Sequence, residues 1–128
     1  MVRQTTKHVS EESAPQGEMG QRYLAAGERV GMRLWDEDPT TARKAVPARE
    51  YETVGYVLEG RALLVLGYKS FELKPGDSWL VPAGVEHTYE ILEHFRSVEA
   101  TSPPGQQGGL DSTDRLGGRQ FDPDDVLA

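Results

Sequence analysis

Two side chains capable of acid–base chemistry lie close together in the second half of the chain. His87 and Tyr89 are two residues apart, so on a β-strand their side chains point to the same side. An imidazole titrates within the physiological pH range, and a tyrosine hydroxyl can donate a proton. The pair predicts either one wall of a ligand cavity or an acid–base pair. The alternative for His87 is a neutral core imidazole held by hydrogen bonds.

Arg49 is the candidate for anion binding, because a guanidinium group holds a carboxylate or phosphate through paired hydrogen bonds. We predict that a small organic anion binds Arg49 inside the fold. The side chains expected to shape the cavity around it are Tyr56, Trp79, His87 and Tyr89. The alternative places Arg49 on the surface, ion-paired with Glu50 or Glu52.

These candidates must be positioned by strands, because short apolar runs recur about every ten residues and are separated by turn residues. Gly60 divides an apolar stretch into two strands, and the Pro75-Gly76 pair suits a tight bend. No stretch shows sustained helical periodicity. The pattern predicts an all-β sandwich or barrel.

The stretch from Pro75 to His87 resembles the second conserved motif of the cupin family. Its matching residues are Gly76, Pro82, Gly84 and His87, while Ile91 stands where the family has Asn. The stretch from Glu52 to Gly60 is similar to the end of the first cupin motif. The resemblance covers residues 28–100 and implies a cupin-type double-stranded β-helix, a jelly-roll barrel.

The resemblance also implies a metal site made of three histidines and one glutamate, a ligand set that suits a divalent transition metal. In this chain Thr53 stands at the Glu position, and the two first-motif His positions fall near Pro47 and Arg49. His87 is the retained ligand. Glu52 is a second candidate, but it is one residue out of place, so its side chain points to the opposite face. We therefore do not expect a tightly bound metal.

The composition describes an acidic chain of 128 residues with a net charge of −7 and no cysteine. Without cysteine there can be no disulfide and no thiolate metal site. A pI near 4.9 disfavours nucleic-acid binding. Because the sequence has neither a long apolar run nor an apolar leader, we expect a cytoplasmic protein without membrane contact.

We divide the chain into three parts by composition. Residues 1–18 are expected to form a loosely ordered N-terminal extension and residues 19–100 the barrel. Residues 101–128, rich in Gly, Pro and Asp, are expected to form an irregular tail. The alternative docks the tail on the domain or on a second subunit through Phe121, Val126 or Leu127.

The strands over residues 54–58 and 62–66 carry apolar residues on both faces. One face then packs in the core and the other meets a second layer, which predicts a homodimer. The function expected is the binding of a small molecule in the barrel. Three alternatives stay open: a metal-dependent oxygenase or isomerase with unusual ligands, a metal-free isomerase using His87, and a structural domain with a filled barrel.

Overall fold

The computed structural model describes residues 8–40, 44–46, 48–107, 110 and 111. Strands and turns make up almost all of this part of the chain, which confirms the all-β expectation. A short 3-10 helix, Glu11–Ser13, precedes the strands. The nine strands of the described residues are β1 (Arg22–Ala26), β2 (Gly31–Glu37), β3 (Lys44–Val46), β4 (Glu52–Glu59), β5 (Ala62–Leu66), β6 (Lys69–Leu73), β7 (Ser78–Val81), β8 (His87–Ile91) and β9 (Phe95–Ser102).

The strands form two antiparallel sheets that enclose the core. One sheet has the order β1-β2-β9-β4-β7 and the other the order β3-β8-β5-β6. Neighbours in a sheet are often distant in sequence, as where Gly31 at the start of β2 pairs with Thr101 near the end of β9. Along the chain, the strands alternate between the two sheets from β2 to β5 and again from β6 to β9, which is the jelly-roll arrangement that the motifs implied.

Two glycines lie between strands at places where the backbone takes a left-handed conformation. Gly60 lies between β4 and β5 with φ +82°, and its Cα faces the carbonyl group of His94 so closely that a side chain would clash. Gly76 has φ +92° in the turn before β7. Both positions suit glycine because it lacks a Cβ.

One end of the barrel is filled by a cluster of buried apolar side chains from both sheets. Leu64 and Ala62 of β5 are fully buried at its centre. The other members of this apolar cluster are Val57, Leu73, Ile91 and Phe95. Their inward positions follow the two-residue period of the strands.

The described segments that precede and follow the barrel in sequence pack against it more closely than their composition suggested. Gln16 forms a β-bridge with Arg22, and Glu11 makes an ion pair of 2.9 Å with Arg96. Strand β9 continues to Ser102, and Asp111 is 4% exposed. These contacts extend the packed part of the chain beyond residue 100, while the division of the chain into three parts stays a prediction. Phe121, Val126 and Leu127 lie outside the described residues.

Within the described ranges there is no helix long and apolar enough to span a membrane.

Candidate functional site

The end of the barrel opposite the apolar cluster contains a buried ion pair between two neighbouring strands. Arg33 of β2 and Glu99 of β9 are direct register partners, and both side chains point inward. Arg33 Nε donates to Glu99 Oε1 at 2.7 Å. Arg33 Nη1 donates to the Tyr51 hydroxyl at 2.9 Å and to Asp111 Oδ2 at 2.8 Å. Arg33 is thus held between two carboxylates that come from different parts of the chain.

The carboxylate of Asp111 is surrounded by hydrogen-bond donors. Besides Arg33, the hydroxyl groups of Tyr51 and Tyr23 donate to it, the latter at 2.9 Å. Burial alone would raise the pKa of Asp111, but the charge of Arg33 and these hydrogen bonds outweigh burial and lower it. Burial and the nearby Asp111 raise the pKa of Tyr23 to about 12, so Tyr23 stays a donor. Asp111 is therefore a bound carboxylate ion.

Arg49 lies inside the barrel, next to Asp111. The backbone carbonyl of Arg49 accepts a hydrogen bond of 2.9 Å from Gly84 N, which fixes the segment before β4. The side chain is 6% exposed, so the alternative of a surface arginine paired with Glu50 or Glu52 is wrong. Arg49 Nη1 donates to the carbonyl oxygen of Leu110 at 3.3 Å, and Arg49 Nε is 4.0 Å from Asp111 Oδ1.

The Nε–H group of Arg49 is buried and has no hydrogen-bond acceptor among the described residues. A buried donor without a partner is costly, and such groups are uncommon in folded proteins. This donor points to a place where an acceptor from a ligand would be favourable.

His87 of β8 lines the same cavity as Arg33, Arg49 and Tyr51. Burial lowers the pKa of His87 to about 4, against a weak opposing effect of the Val85 carbonyl group. The imidazole is therefore neutral at pH 7. Its Nδ1 lies 3.4 Å from that carbonyl oxygen, which assigns the proton to Nδ1 and leaves Nε2 as an acceptor.

A second, more apolar pocket adjoins the ion pair. Trp35 Nε1 donates to Glu99 Oε1 at 2.8 Å, and the Tyr89 hydroxyl donates to Glu99 Oε2 at 3.4 Å. Trp79 Nε1 donates to the Tyr89 hydroxyl at 3.3 Å. The pocket has a cavity volume of about 20 Å³, and the buried hydroxyl of Ser97 lines it without a partner among the described residues. We call this space, lined by Trp35, Trp79, Tyr89, Phe95, Ser97 and Glu99, the aromatic pocket.

Four of the predicted cavity residues thus lie inside the barrel, but Tyr56 does not. Tyr56 is on the outer face of β4 and 48% exposed, so its predicted place in the cavity is wrong. The physical reason is the two-residue period of β4, which turns Thr53 and Val57 inward and Tyr56 outward. Glu52 is exposed on the same outer side and cannot reach His87.

The positions that hold a metal in the family do come together here. Arg49, Thr53 and His87 line one cavity with Arg33 and Tyr51, while Pro47 lies outside the described residues. This donor set does not fit a divalent metal ion, because guanidinium groups have no lone pair for coordination and their charge opposes a cation. Among the side chains that the structure describes, no group of three or more His, Asp or Glu is placed to hold a metal.

Sequence reasoning missed several residues of this site. Glu99 stands between apolar neighbours on a strand, and this pattern was the signal that could have identified it. The position of Arg33 between Met32 and Leu34 left open whether it pairs with an acidic residue or reaches the cavity, and it does both. Tyr51 and Tyr23 gave no such pattern. Asp111 could not be found locally, because its partner Arg33 is 78 residues away.

Comparisons with known proteins agree with this architecture. The family model described as "Cupin domain" matches residues 36–99. A comparison with curated proteins found no match.

Solved structures with the same fold include three from bacteria. An RmlC-like cupin from Shewanella frigidimarina has a TM-score of 0.68 at 20% identity, with 80% of this chain and 95% of that chain covered. KdgF from Halomonas sp. has a TM-score of 0.66 at 19% identity, covering 77% and 94%. The EutQ protein of Clostridium difficile has a TM-score of 0.60 at 16% identity, covering 70% and 68%. At these identities the likeness concerns the fold alone. Since the family model also covers half of the sequence, the chain belongs to the cupin family.

Proposed function

We propose that this cupin binds a small organic acid inside its barrel, through the acid's carboxylate group. The observation that carries the proposal is the buried Nε–H of Arg49, which has no hydrogen-bond acceptor among the residues that the structure describes and lies in one cavity with a second buried arginine, Arg33. Two guanidinium groups at one end of a small barrel form a strong site for an anion.

The charges in the cavity favour an anion from outside when it takes the place of the Asp111 carboxylate. Arg33 and Arg49 are positive, Glu99 and Asp111 are negative, and His87 is neutral because of its lowered pKa. Without Asp111, the interior would carry one uncompensated positive charge. A carboxylate from outside would restore the balance.

The aromatic pocket favours an organic anion over an inorganic one. It adjoins Glu99, and its walls include the rings of Trp35, Trp79 and Tyr89. Rings of this kind contact flat or apolar groups, while the Ser97 hydroxyl, which has no partner within the described ranges, offers a hydrogen bond to a polar substituent. The ligand we propose thus has a carboxylate for the arginines and at most a small apolar group for the aromatic pocket, whose volume is about 20 Å³.

Calorimetric titration with a panel of acids tests the proposal. The panel contains acetate, pyruvate, malonate, succinate and benzoate, with inorganic phosphate for comparison. We expect at least one carboxylate to bind, and Arg49→Met to weaken that binding by about 10-fold or more, the loss of one charged hydrogen bond. Arg61→Met is the matched control, because Arg61 is paired on the surface with Glu72 and Glu93. Equal affinity of the two variants for that acid would refute the proposal.

Metal-free acid–base catalysis by His87 and Tyr89 is less well supported. The Tyr89 hydroxyl is hydrogen-bonded to Glu99 and Trp79. The rings of His87 and Tyr89 meet edge to face, with their centroids 5.2 Å apart, and do not share a hydrogen bond. A His87 pKa of about 4 also makes that imidazole a weak base at pH 7.

We further propose that a second copy of the chain covers the outer face of β4 and β7. Val54 and Leu80 are register partners on this face, and they are 50% and 49% exposed. Tyr56 and Leu58 extend the same apolar surface. Each copy presents the same face, so a twofold contact would cover both at once. Tyr56→Asp should convert a dimer to a 14.2 kDa monomer in sedimentation analysis, and a wild-type monomer at micromolar concentration would refute the dimer.

A further inference from the structure

Asp111 reaches the anion site from a segment that is not part of the barrel sheets. After β9 ends at Ser102, the chain turns through residues 103–107, where Gln107 N donates to the carbonyl group of Pro104. Further along the chain, Leu110 contacts Arg49 and Asp111 contacts Arg33. The donors that bind Asp111, in contrast, belong to the barrel: Tyr23 on β1, Arg33 on β2 and Tyr51 beside β4.

We propose that Asp111 is an internal ligand of the anion site and that a carboxylate from outside replaces it. The inference rests on the proposed function and adds its regulation: the chain occupies its own site until an organic acid competes successfully.

The geometry supports this exchange because the Asp111 side chain is chemically an acetate group attached to the chain. Its carboxylate is bound by one guanidinium and two hydroxyl groups, and Arg49 Nε lies 4.0 Å away. A free carboxylate in the same place would have the same donors. It would also be free to move within hydrogen-bond distance of Arg49 Nε, which no acceptor in the described part of the chain reaches.

The packing around Asp111 is fitted to a carboxylate. Gly105 passes so close that a Cβ there would lie 2.5 Å from Asp111 Oδ2 and 3.3 Å from Arg33 Nη1. A glycine at this position therefore leaves the space that the carboxylate fills. The backbone is fixed there, since Gly105 N donates to Thr101 Oγ1 at 2.7 Å.

The attachment of Leu110 and Asp111 is polar, and this makes exchange feasible. Their described bonds to the barrel are those of the Asp111 carboxylate and of the Leu110 carbonyl group with Arg49 Nη1. Both groups regain hydrogen bonds to water when they leave. A tethered group competes with an effective concentration of the order of millimolar, so the wild type should bind external acids more weakly than a chain without Asp111.

Acetate titration of Asp111→Ala tests the inference. We expect this variant to bind acetate about 10-fold or more tightly than the wild type, because the internal competitor is gone. Asp38→Ala is the matched control, since the Asp38 side chain is 88% exposed and pairs with His94 on the surface. The control should bind acetate like the wild type.

The outcomes separate this inference from the proposed function. If Asp111→Ala and the wild type bind acetate equally, Asp111 does not compete with the external acid, and the inference is wrong while the proposed acid-binding function is retained. If the wild type binds an acid of the panel but Asp111→Ala does not bind acetate, the place of Asp111 is not the anion site, and the inference is wrong. If neither protein binds any acid, the proposed function fails as well.

Amide hydrogen exchange of the wild-type protein tests the same inference without requiring any variant to fold. The Leu110 amide donates to the Gln107 carbonyl group at 3.2 Å. We expect saturating acetate to speed exchange at this amide by about 10-fold relative to sodium chloride of equal ionic strength, as the segment is released. Unchanged or slower exchange, with acetate bound, would overturn the inference.

Discussion

The two ends of the barrel are built from the same strands but filled by opposite chemistry. Along β9, Phe95 belongs to the apolar cluster and Glu99 to the ion pair; along β8, Ile91 and His87 divide in the same way. The apolar end stabilises the fold by removing side chains from water. The arginine end buries charges of both signs, which must compensate one another. Such buried ion pairs contribute little to stability, so ligand binding explains their presence better.

This comparison predicts that substitutions at the two ends differ in what they change. Damage at the apolar end should lower the free energy of unfolding without affecting acid affinity in the protein that remains folded. Damage at the arginine end should change acid affinity, and it should lower stability where a buried charge loses its partner.

The largest loss of stability is expected for Arg33→Met. The substitution leaves Glu99 and Asp111, each less than 5% exposed, without their guanidinium partner. Removing one partner of a buried ion pair costs about 3–5 kcal/mol. Urea unfolding measures the effect, with Arg61→Met as the control. Because the Arg61 pairs are on the surface, the control should lose less than about 1 kcal/mol. Similar losses for both would show that the Arg33 network is not a buried, mutually dependent unit.

Leu64→Ala tests the apolar end. Leu64 is fully buried in the apolar cluster, so the substitution should cost about 3 kcal/mol in the free energy of unfolding. Tyr68→Ala, at a side chain that is 93% exposed, should change it little. If Leu64→Ala also weakened acid binding at a temperature where the variant is folded, the two ends would not be independent.

The pH dependence of stability tests the burial of His87. Its pKa falls from 6.5 to about 4 on folding, mainly through burial, so between these values the unfolded chain binds a proton that the native protein does not. Stability therefore decreases as the pH falls, by about 2 kcal/mol between pH 7 and pH 5. His87→Gln should remove this part of the pH dependence, while His8→Gln, at an exposed position, should keep it. A His87→Gln protein with the wild-type pH profile would contradict a buried neutral imidazole.

The smallest effect is expected for Gly105→Ala. The new methyl group would meet the Asp111 carboxylate and should destabilise the protein by about 1 kcal/mol. It should also weaken acetate binding in the Asp111→Ala background, because it occupies the same space. Gly27→Ala is the matched control, since its nearest atom would be 3.9 Å away. Equal behaviour of the two variants would place the carboxylate elsewhere.

Much of the fold was predictable because its signals are local. The turn glycines, the alternation along β4 and the motif around His87 involve residues close in sequence. The two-residue period that turned Glu52 outward also turns Tyr56 outward, so applying it throughout β4 would have removed Tyr56 from the cavity.

The site was less predictable because its contacts are distant in sequence. Arg33 and Glu99 are 66 residues apart and become neighbours through the pairing of β2 with β9. Asp111 lies in a stretch whose composition is typical of disorder, and the barrel supplies the charge that holds it. Only tertiary structure shows that this acidic residue is a buried ligand rather than part of a solvated tail.

The most direct measurement is a crystal structure of Asp111→Ala grown with acetate. We predict an acetate ion between Arg33 Nη1 and the Tyr51 hydroxyl, with an oxygen within about 3 Å of Arg49 Nε. Water alone in that place at saturating acetate, or acetate bound elsewhere on the protein, would contradict the claim that this end of the barrel is a carboxylate site.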